Sequence, residues 1–471
     1  MNEPSTEATP SLWATIVEAV RGSEQDFTAV PIGRAVLLLA IPMVLEMSME
    51  SLFAVVDMYF VARLGADSVA TIGLTEALMS LLYALAMGLS AAANAVISRR
   101  TGERDSDGAA RAATQVIALS IALSIAIGLA GSLMAPTLLQ WMGASASVIA
   151  VGSNYARIMF AGSATIFLLF VNNAAFRGAG DAAMAMRSLW LANGLNILLA
   201  PVFIFGLGPL PAMGVTGAAI ATTISRGVGV LYQLATLARG RSRLRVERRH
   251  VGFDRETAVE LLSIAWAAAA QTLVETASWI GLVRILSSFG SPALAGYTIA
   301  MRVALFVLLP AFGLANAAAT LVGQNLGANA PDRAAHAVKA VAKVNVAGLS
   351  VVSLAFVLVP QLFLRLFTRD ATALVFAEQC LRVVALGFVF FAFGMVVNAA
   401  FNGAGDSKTP MVINVLSFWA LKLPLAYLLA RTLHFGPMGV FIAISVAYSA
   451  QAIAATLVFR QGKWRSARAS S

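Results

Sequence analysis

Three carboxylic acids interrupt one apolar run. Glu46, Glu50 and Asp57 lie within residues 42–65, PMVLEMSMESLFAVVDMYFVARLG. A helix turns about 100° per residue, so these spacings bring the three carboxyls within roughly 40° of one another. They form one stripe. An acid at the centre of a membrane helix costs roughly 2.5–3.5 kcal/mol on insertion scales, so the stripe is expected to face a wet cavity or another helix. Glu50 and Asp57 stand about 10 Å apart along the axis. A carboxyl that ionises near neutrality can load a proton on one side of a membrane and release it on the other. The chemistry suggested is reversible binding of a cation. The plain alternative for each acid is a structural carboxyl, hydrogen-bonded to a neighbouring helix. Glu275, near the middle of a later apolar run, poses the same choice. Glu46 and Glu76 read as facing the two mouths. Arg226, Arg302 and Lys422 also lie deep in apolar runs, and one of them is a candidate partner for such an acid.

Other chemistry is sparsely represented. The single cysteine, Cys380, forms no internal disulfide, and no Cys/His cluster suggests a metal or cofactor. No GxxxxGK[ST] loop is present, so energy is expected from an ion gradient or a separate partner.

The elements that must position these acids follow from composition. The chain is 59% hydrophobic and 12% charged, against about 25% charged in a soluble domain. This predicts an all-α integral membrane protein. Twelve apolar spans are expected, at about 35–62, 68–98, 109–135, 147–176, 183–206, 213–238, 256–288, 293–323, 334–364, 373–402, 409–431 and 438–460, each long enough for a ~30 Å hydrocarbon core. The net charge of +10 raises nucleic acid as a partner. The bases instead fall in loops after even-numbered spans, among them Arg99, Arg100, Arg104, Arg177, Arg187, Arg333 and Lys408, and in the tail at Arg460, Lys463, Arg465 and Arg468. Loops after odd spans hold few: Arg63, Arg365, Arg369 and Arg431. The positive-inside rule then puts both termini in the cytoplasm. Arg157 and Arg382 begin spans on the outer side and suit anchoring to lipid headgroups. Residues 1–34 form an N-terminal segment without the pattern of a cleavable signal. In it, Leu12, Trp13, Ile16, Val17 and Val20 suit a helix lying on the membrane surface, or else a disordered tail.

The chain repeats itself. Residues 173–181, NAAFRGAGD, recur at 398–406 as NAAFNGAGD, an offset of 398 − 173 = 225. The same offset pairs Gly88 with Gly313, Gly102 with Gly327, Arg157 with Arg382 and Glu50 with Glu275. Six spans per repeat is an even number, so the two repeats are parallel, related by an axis along the membrane normal with a cavity between them. The expected organisation is a first lobe at 35–238, a basic linker at 239–255, a second lobe at 256–460 and a tail at 461–471. The two GAGD turns read as structural: glycine ends one helix and aspartate caps the next.

These residues resemble the multidrug and toxic compound extrusion (MATE) transporters, prokaryotic branch, over roughly residues 35–460. The likeness rests on Val55-Val56-Asp57 followed by Arg63-Leu64-Gly65-Ala66-Asp67, on the two NAAFxGAGD turns, on residues 217–222, GAAIAT, and on residues 321–328, LVGQNLGA. The resemblance implies twelve helices in two six-helix lobes, alternating access, and export of small lipophilic or cationic drugs in exchange for H+ or Na+. In one branch the first lobe uses an Asp on the first helix, matched by Asp57. It also uses an Asn and an Asp four residues apart on the fifth; Asn196 matches, but the Asp position is Ala200. Another branch uses a Glu on the seventh helix, matched by Glu275, with an acid on the tenth. Residues 385–397 contain none. Glu50, where relatives often carry Gln, is the expected replacement for the missing fifth-helix carboxyl. In relatives the first helix bends near a proline spaced as Pro42 is from Asp57. Phe53, Met301 and Phe391 are candidate cavity-wall residues. The expected setting is a monomer in the bacterial inner membrane, with lipid around it. The competing readings are a flippase for lipid-linked sugars or other amphiphiles, and a membrane-embedded enzyme. The enzyme would need catalytic groups clustered near one face.

Overall fold

The computed structural model describes residues 11–206, 211–368 and 370–466; Arg369 and Arg468 fall outside them. The described residues are helical, without a strand. In chain order the helices are α1 (Leu12–Arg21), α2 (Ile32–Ala62), α3 (Ala66–Gly102), α4 (Ser106–Trp141), α5 (Ala146–Ala161), α6 (Ser163–Gly178), α7 (Ala182–Phe205), α8 (Gly214–Ala238), α9 (Arg255–Ser287), α10 (Ser291–Gly327), α11 (Pro331–Leu358), α12 (Pro360–Leu364), α13 (Ala371–Gly403), α14 (Lys408–Asn414), α15 (Leu423–Tyr427) and α16 (Pro437–Arg460). Among the described residues, eleven apolar stretches are long enough to cross a membrane as single helices; α5 and α6, bent by 43°, supply a twelfth if the pair is one span. The protein is a multi-pass membrane protein.

Besides the fourth, bent at Gly162 between α5 and α6, two expected spans are interrupted, each at a proline. The ninth stops at Leu358 and resumes as α12 at Pro360. The eleventh, Lys408–Thr432, winds into π-helical turns at Val415–Lys422 and Leu428–Thr432 around α15. Pro424 has no N–H to donate to the preceding turn, which loosens the helical ladder there.

The repeat is visible in the turns. Gly180 and Gly405 take φ of +85° and +84°, where glycine carries no Cβ penalty. Asp181 Oδ1 accepts from the Met184 N–H at 3.2 Å, and Asp406 Oδ1 from the Thr409 N–H at 3.1 Å. Both turns thus stop one helix and cap the next.

Among the described residues, two large apolar cores form, with two small clusters beside them. One is built mainly from residues between 282 and 464, the other from residues between 61 and 265. The helix that opens each half begins in the other half's core. On α2, residues from Ala35 to Met43 belong to the second core, and Val61 to the first. On α9, Leu261, Ile264 and Ala265 belong to the first core, and Leu282 and Leu286 to the second. α2 and α9 therefore cross from one half to the other.

The halves meet tightly at the end that carries the arginine-rich loops. A Cβ on Gly102 would lie 1.9 Å from the Gln324 carbonyl oxygen, and one on Gly327 2.0 Å from the Arg99 carbonyl oxygen. Residue 99 plus 225 is 324, so each contact is the image of the other. Across this closed end runs the N-terminal segment. α1 is capped by Ser11, with Thr15 and Ala19 turned inward and Leu12 and Trp13 outward, as an interfacial helix requires. The strand of chain that follows is held by arginines from several elements. Arg187 donates to the Val20 and Arg21 carbonyls, Arg243 to Gln25, and Arg333 to Phe27 and Val30. Arg104 pairs with Asp26 at 3.5 Å. Phe27 is buried beneath this strap.

Candidate functional site

α2 presents its acids to the first half, as the stripe requires, but each meets a different environment. Glu46 is only 1% exposed. Its Oε1 accepts from Arg177 Nη1 at 2.7 Å and from Asn173 Nδ2 at 3.0 Å, both on α6. This corrects two expectations. Glu46 faces no mouth, and Arg177 is a buried partner rather than a loop base. Asn173 Oδ1 in turn accepts from Gln233 Nε2 at 2.7 Å, and Gln233 Oε1 from Asn172 Nδ2 at 3.1 Å. A polar chain therefore links α2, α6 and α8.

One turn further along α2, Glu50 is half-buried, and its Oε2 accepts from Asn193 Nδ2 at 2.8 Å. Asn193 lies one turn before Asn196 on α7. Asn196 instead donates to Thr222 Oγ1 on α8 at 2.9 Å. Ala200, where the resemblance leads to an acid, is packed in the first core.

Asp57 differs from both. Its Oδ1 is buried and has no hydrogen-bond partner. The charge acting on it is that of Arg226, on α8, which also acts on Glu50. Arg226 is buried and donates to the Tyr83 hydroxyl of α3 at 3.1 Å. Glu76, in the first third of α3, lies in the field of Asp57 and of Arg302 on α10. In the second half, Glu275 feels Lys422, itself 1% exposed, with its Nζ 4.2 Å from the centre of the Phe418 ring. Opposite charges in a low-dielectric interior interact more strongly than in water. Each of these membrane acids thus lies in the field of a resident base.

The remaining expected residues are dispersed. Pro42 lies buried inside α2, one turn before Glu46. Phe53 is half-buried on α2. Met301 and Phe391 sit in the second core, where the Phe391 ring packs 4.5 Å from Tyr448. The residues that sequence reasoning passed over are Arg177, Asn193 and Tyr83. Only the repeat hinted at the first, since position 402 carries Asn where 177 carries Arg. Among the described residues, no three His, Cys, Asp or Glu side chains are grouped to hold a metal ion. The arrangement offers carboxylates of a kind that can bind a small cation inside a membrane.

The chain matches the MatE family model over residues 42–202 and 267–428. The two stretches begin 267 − 42 = 225 residues apart, the offset of the repeat. It is 27% identical over 421 residues to the probable multidrug resistance protein YoeA of Bacillus subtilis (strain 168), covering 88% of this chain and 91% of that one. It is 26% identical over 423 residues to the FAD transporter of Shewanella oneidensis (strain MR-1), covering 89% and 82%. The fold superposes with a TM-score of 0.87 on a multidrug resistance MATE family transporter of the MOP superfamily, solved in an outward-facing conformation. That pair is 28% identical and covers 93% of this chain and 97% of the other.

Proposed function

The chain belongs to the MatE family of transporters, and from that premise we propose that it is a multidrug exporter driven by cation antiport. It extrudes lipophilic or cationic compounds by alternating access, in exchange for H+ or Na+. The observation that carries this reading is Asp57: an acid within a membrane span, with one oxygen buried and unbonded, set in the field of Arg226. Such a group gains a partner when it takes up a cation. Glu50 serves with it, Asn196 frames the site from α7, and Glu275 is its counterpart in the second half. Two features favour the proton over Na+. Arg226 already places a positive charge beside Asp57, and Ala200 leaves out a carboxylate that a metal ion would share. The lobes are assigned to 35–238 and 256–460, joined by the linker 239–255. The protein acts as a monomer in the bacterial inner membrane with both termini in the cytoplasm, so the closed, arginine-rich end faces inward.

A second reading, flipping of an anionic amphiphile, draws support from the buried bases Arg226 and Lys422. Ethidium efflux from proteoliposomes, with a pH or a Na+ gradient imposed separately, tests the first reading. Efflux driven by pH alone is expected. Its absence under both gradients, with flipping of a fluorescent phospholipid, would replace the first reading with the second.

A further inference from the structure

The antiport reading uses Asp57 and Glu50 and leaves Glu46 idle. Yet Glu46 occupies a particular place. Met43 is the last residue of α2 in the second core, and α10 packs there through Gly313, whose Cβ would lie 2.5 Å from the Met43 carbonyl oxygen. Three residues on, Glu46 makes the first side-chain hydrogen bonds from α2 to the first half, through Arg177 and Asn173. The crossing helix packs on its own half chiefly through α7, where Trp190 also donates to the Leu45 carbonyl, and its joint with α6 is an ion pair.

The repeat supplies an internal control. Adding 225 to 46 and 177 gives Gln271 and Asn402. At that joint, Gln271 Nε2 donates to Asn402 Oδ1 at 3.1 Å and Asn402 Nδ2 donates to Gln271 Oε1 at 3.4 Å. The fold closes this joint with two neutral amides. A buried ion pair is often no more stabilising than a neutral pair of similar volume, but it breaks when one charge is removed. The first half therefore carries a joint that depends on charge where the architecture does not require one. Glu46 is also incompletely satisfied: its Oε2 is buried and accepts no hydrogen bond. A proton placed on Oε2 displaces no existing bond. The charged groups facing Glu46 are Arg177 from α6 and Glu50 along α2. α8 presents the neutral amide of Gln233, and α7 that of Asn193, which engages Glu50.

We propose that Glu46 is a proton-binding site, and that its bond to Arg177 is a clasp between α2 and the first half that proton uptake opens. The proton arrives from the cavity by way of Glu50, one turn away. It converts the Glu46 carboxylate to a neutral acid and leaves Arg177 a guanidinium without its counter-charge. α2 is then released from α6 and from the Asn173–Gln233 chain behind it. The second half, with Gln271 and Asn402, has no such response. The proposal rests on the antiport reading for the source of the proton but makes its own structural claim.

The test writes the second half's joint into the first with the double variant E46Q/R177N. In proteoliposomes, the slope of log efflux rate against pH falls by about one relative to the unaltered protein, one titrating proton fewer. An unchanged slope would overturn the clasp. The structural claim is read separately, without cargo, in case the variant folds poorly or ethidium is not transported. Nitroxides are placed at the exposed positions Leu52 on α2 and Leu231 on α8 of the otherwise unaltered chain. Their separation, measured by double electron–electron resonance, widens on acidification. A separation indifferent to pH would sink the clasp even if antiport stands. Failure of efflux under every gradient, with the widening intact, would sink the antiport reading alone.

Discussion

The two halves share a backbone plan and differ in charge at matching positions. Asp57 corresponds to Leu282, which is buried in the second core. Arg226 corresponds to Gln451, whose amide donates to Asn414 Oδ1 at 2.7 Å. Glu46 and Arg177 correspond to Gln271 and Asn402. Of these membrane acids, only Glu50 has an acidic counterpart, Glu275. A scaffold bond recurs shifted by one helical turn, at an offset of 419 − 190 = 229 instead of 225: Trp190 Nε1 donates to the Leu45 carbonyl and Trp419 Nε1 to the Val274 carbonyl, both at 3.0 Å. One half is thus ionised, with carboxylate oxygens left unbonded; the other is mostly apolar or closed by amides. Neutral, fully bonded joints rigidify, whereas a buried charge with an incomplete shell responds to whatever can neutralise it. The difference supports the proposal that the ion chemistry belongs to the first half, with the second as the more fixed frame.

The largest effect is expected at the acids. Asp57→Asn should reduce gradient-driven ethidium efflux by roughly a hundredfold, the scale on which a central proton-transfer group acts, while the protein stays folded. Glu275→Gln should cost roughly threefold, under 1 kcal/mol on the scale where 1.4 kcal/mol is tenfold. The reverse order would move the coupling site to the second half. A middle-sized effect tests the symmetry. Gly102→Ala and Gly327→Ala each force a methyl group against a carbonyl of the opposite half, and each should destabilise by about 1–3 kcal/mol. Their melting temperatures in detergent should fall alike. A marked inequality would show that the closed face is not symmetric.

The smallest effect concerns the strap that spans both halves. Hydrogen bonds from Thr28, aided by Arg104, hold the Asp26 carboxyl below its usual range. A depressed value in the folded state means the contribution is present above the unfolded value of about 3.9 and is lost as pH falls through the folded one. Hydrogen exchange in residues 22–31, corrected for its intrinsic pH dependence, should rise below about pH 4 in the natural chain. In Asp26→Asn it should be raised already at neutral pH, with little further change. Equal profiles would remove Asp26 from the strap's attachment.

Much of this protein was legible along the chain. Apolar runs give the spans, because a backbone in lipid must satisfy its own hydrogen bonds within each helix. The offset of 225 gives the two parallel halves, and the GAGD turns give their own geometry, since a left-handed glycine and a capping aspartate act within a few residues. The stripe of Glu46, Glu50 and Asp57 follows from helical period alone. Partners did not follow. Arg177 reads as one more loop base until the fold brings it within reach of Glu46 on α2, 131 positions away in sequence. Glu50 is answered by Asn193 rather than Asn196, a choice of one helical turn made by how α7 lies along α2. Lys422 has Phe418 one turn away on its own span, but only packing sets it in the field of Glu275. Helical period decides which side chains share a face. Only the packing of one helix on another decides which opposing groups come within reach, and in a medium without water that decides which charges are answered and which are left open.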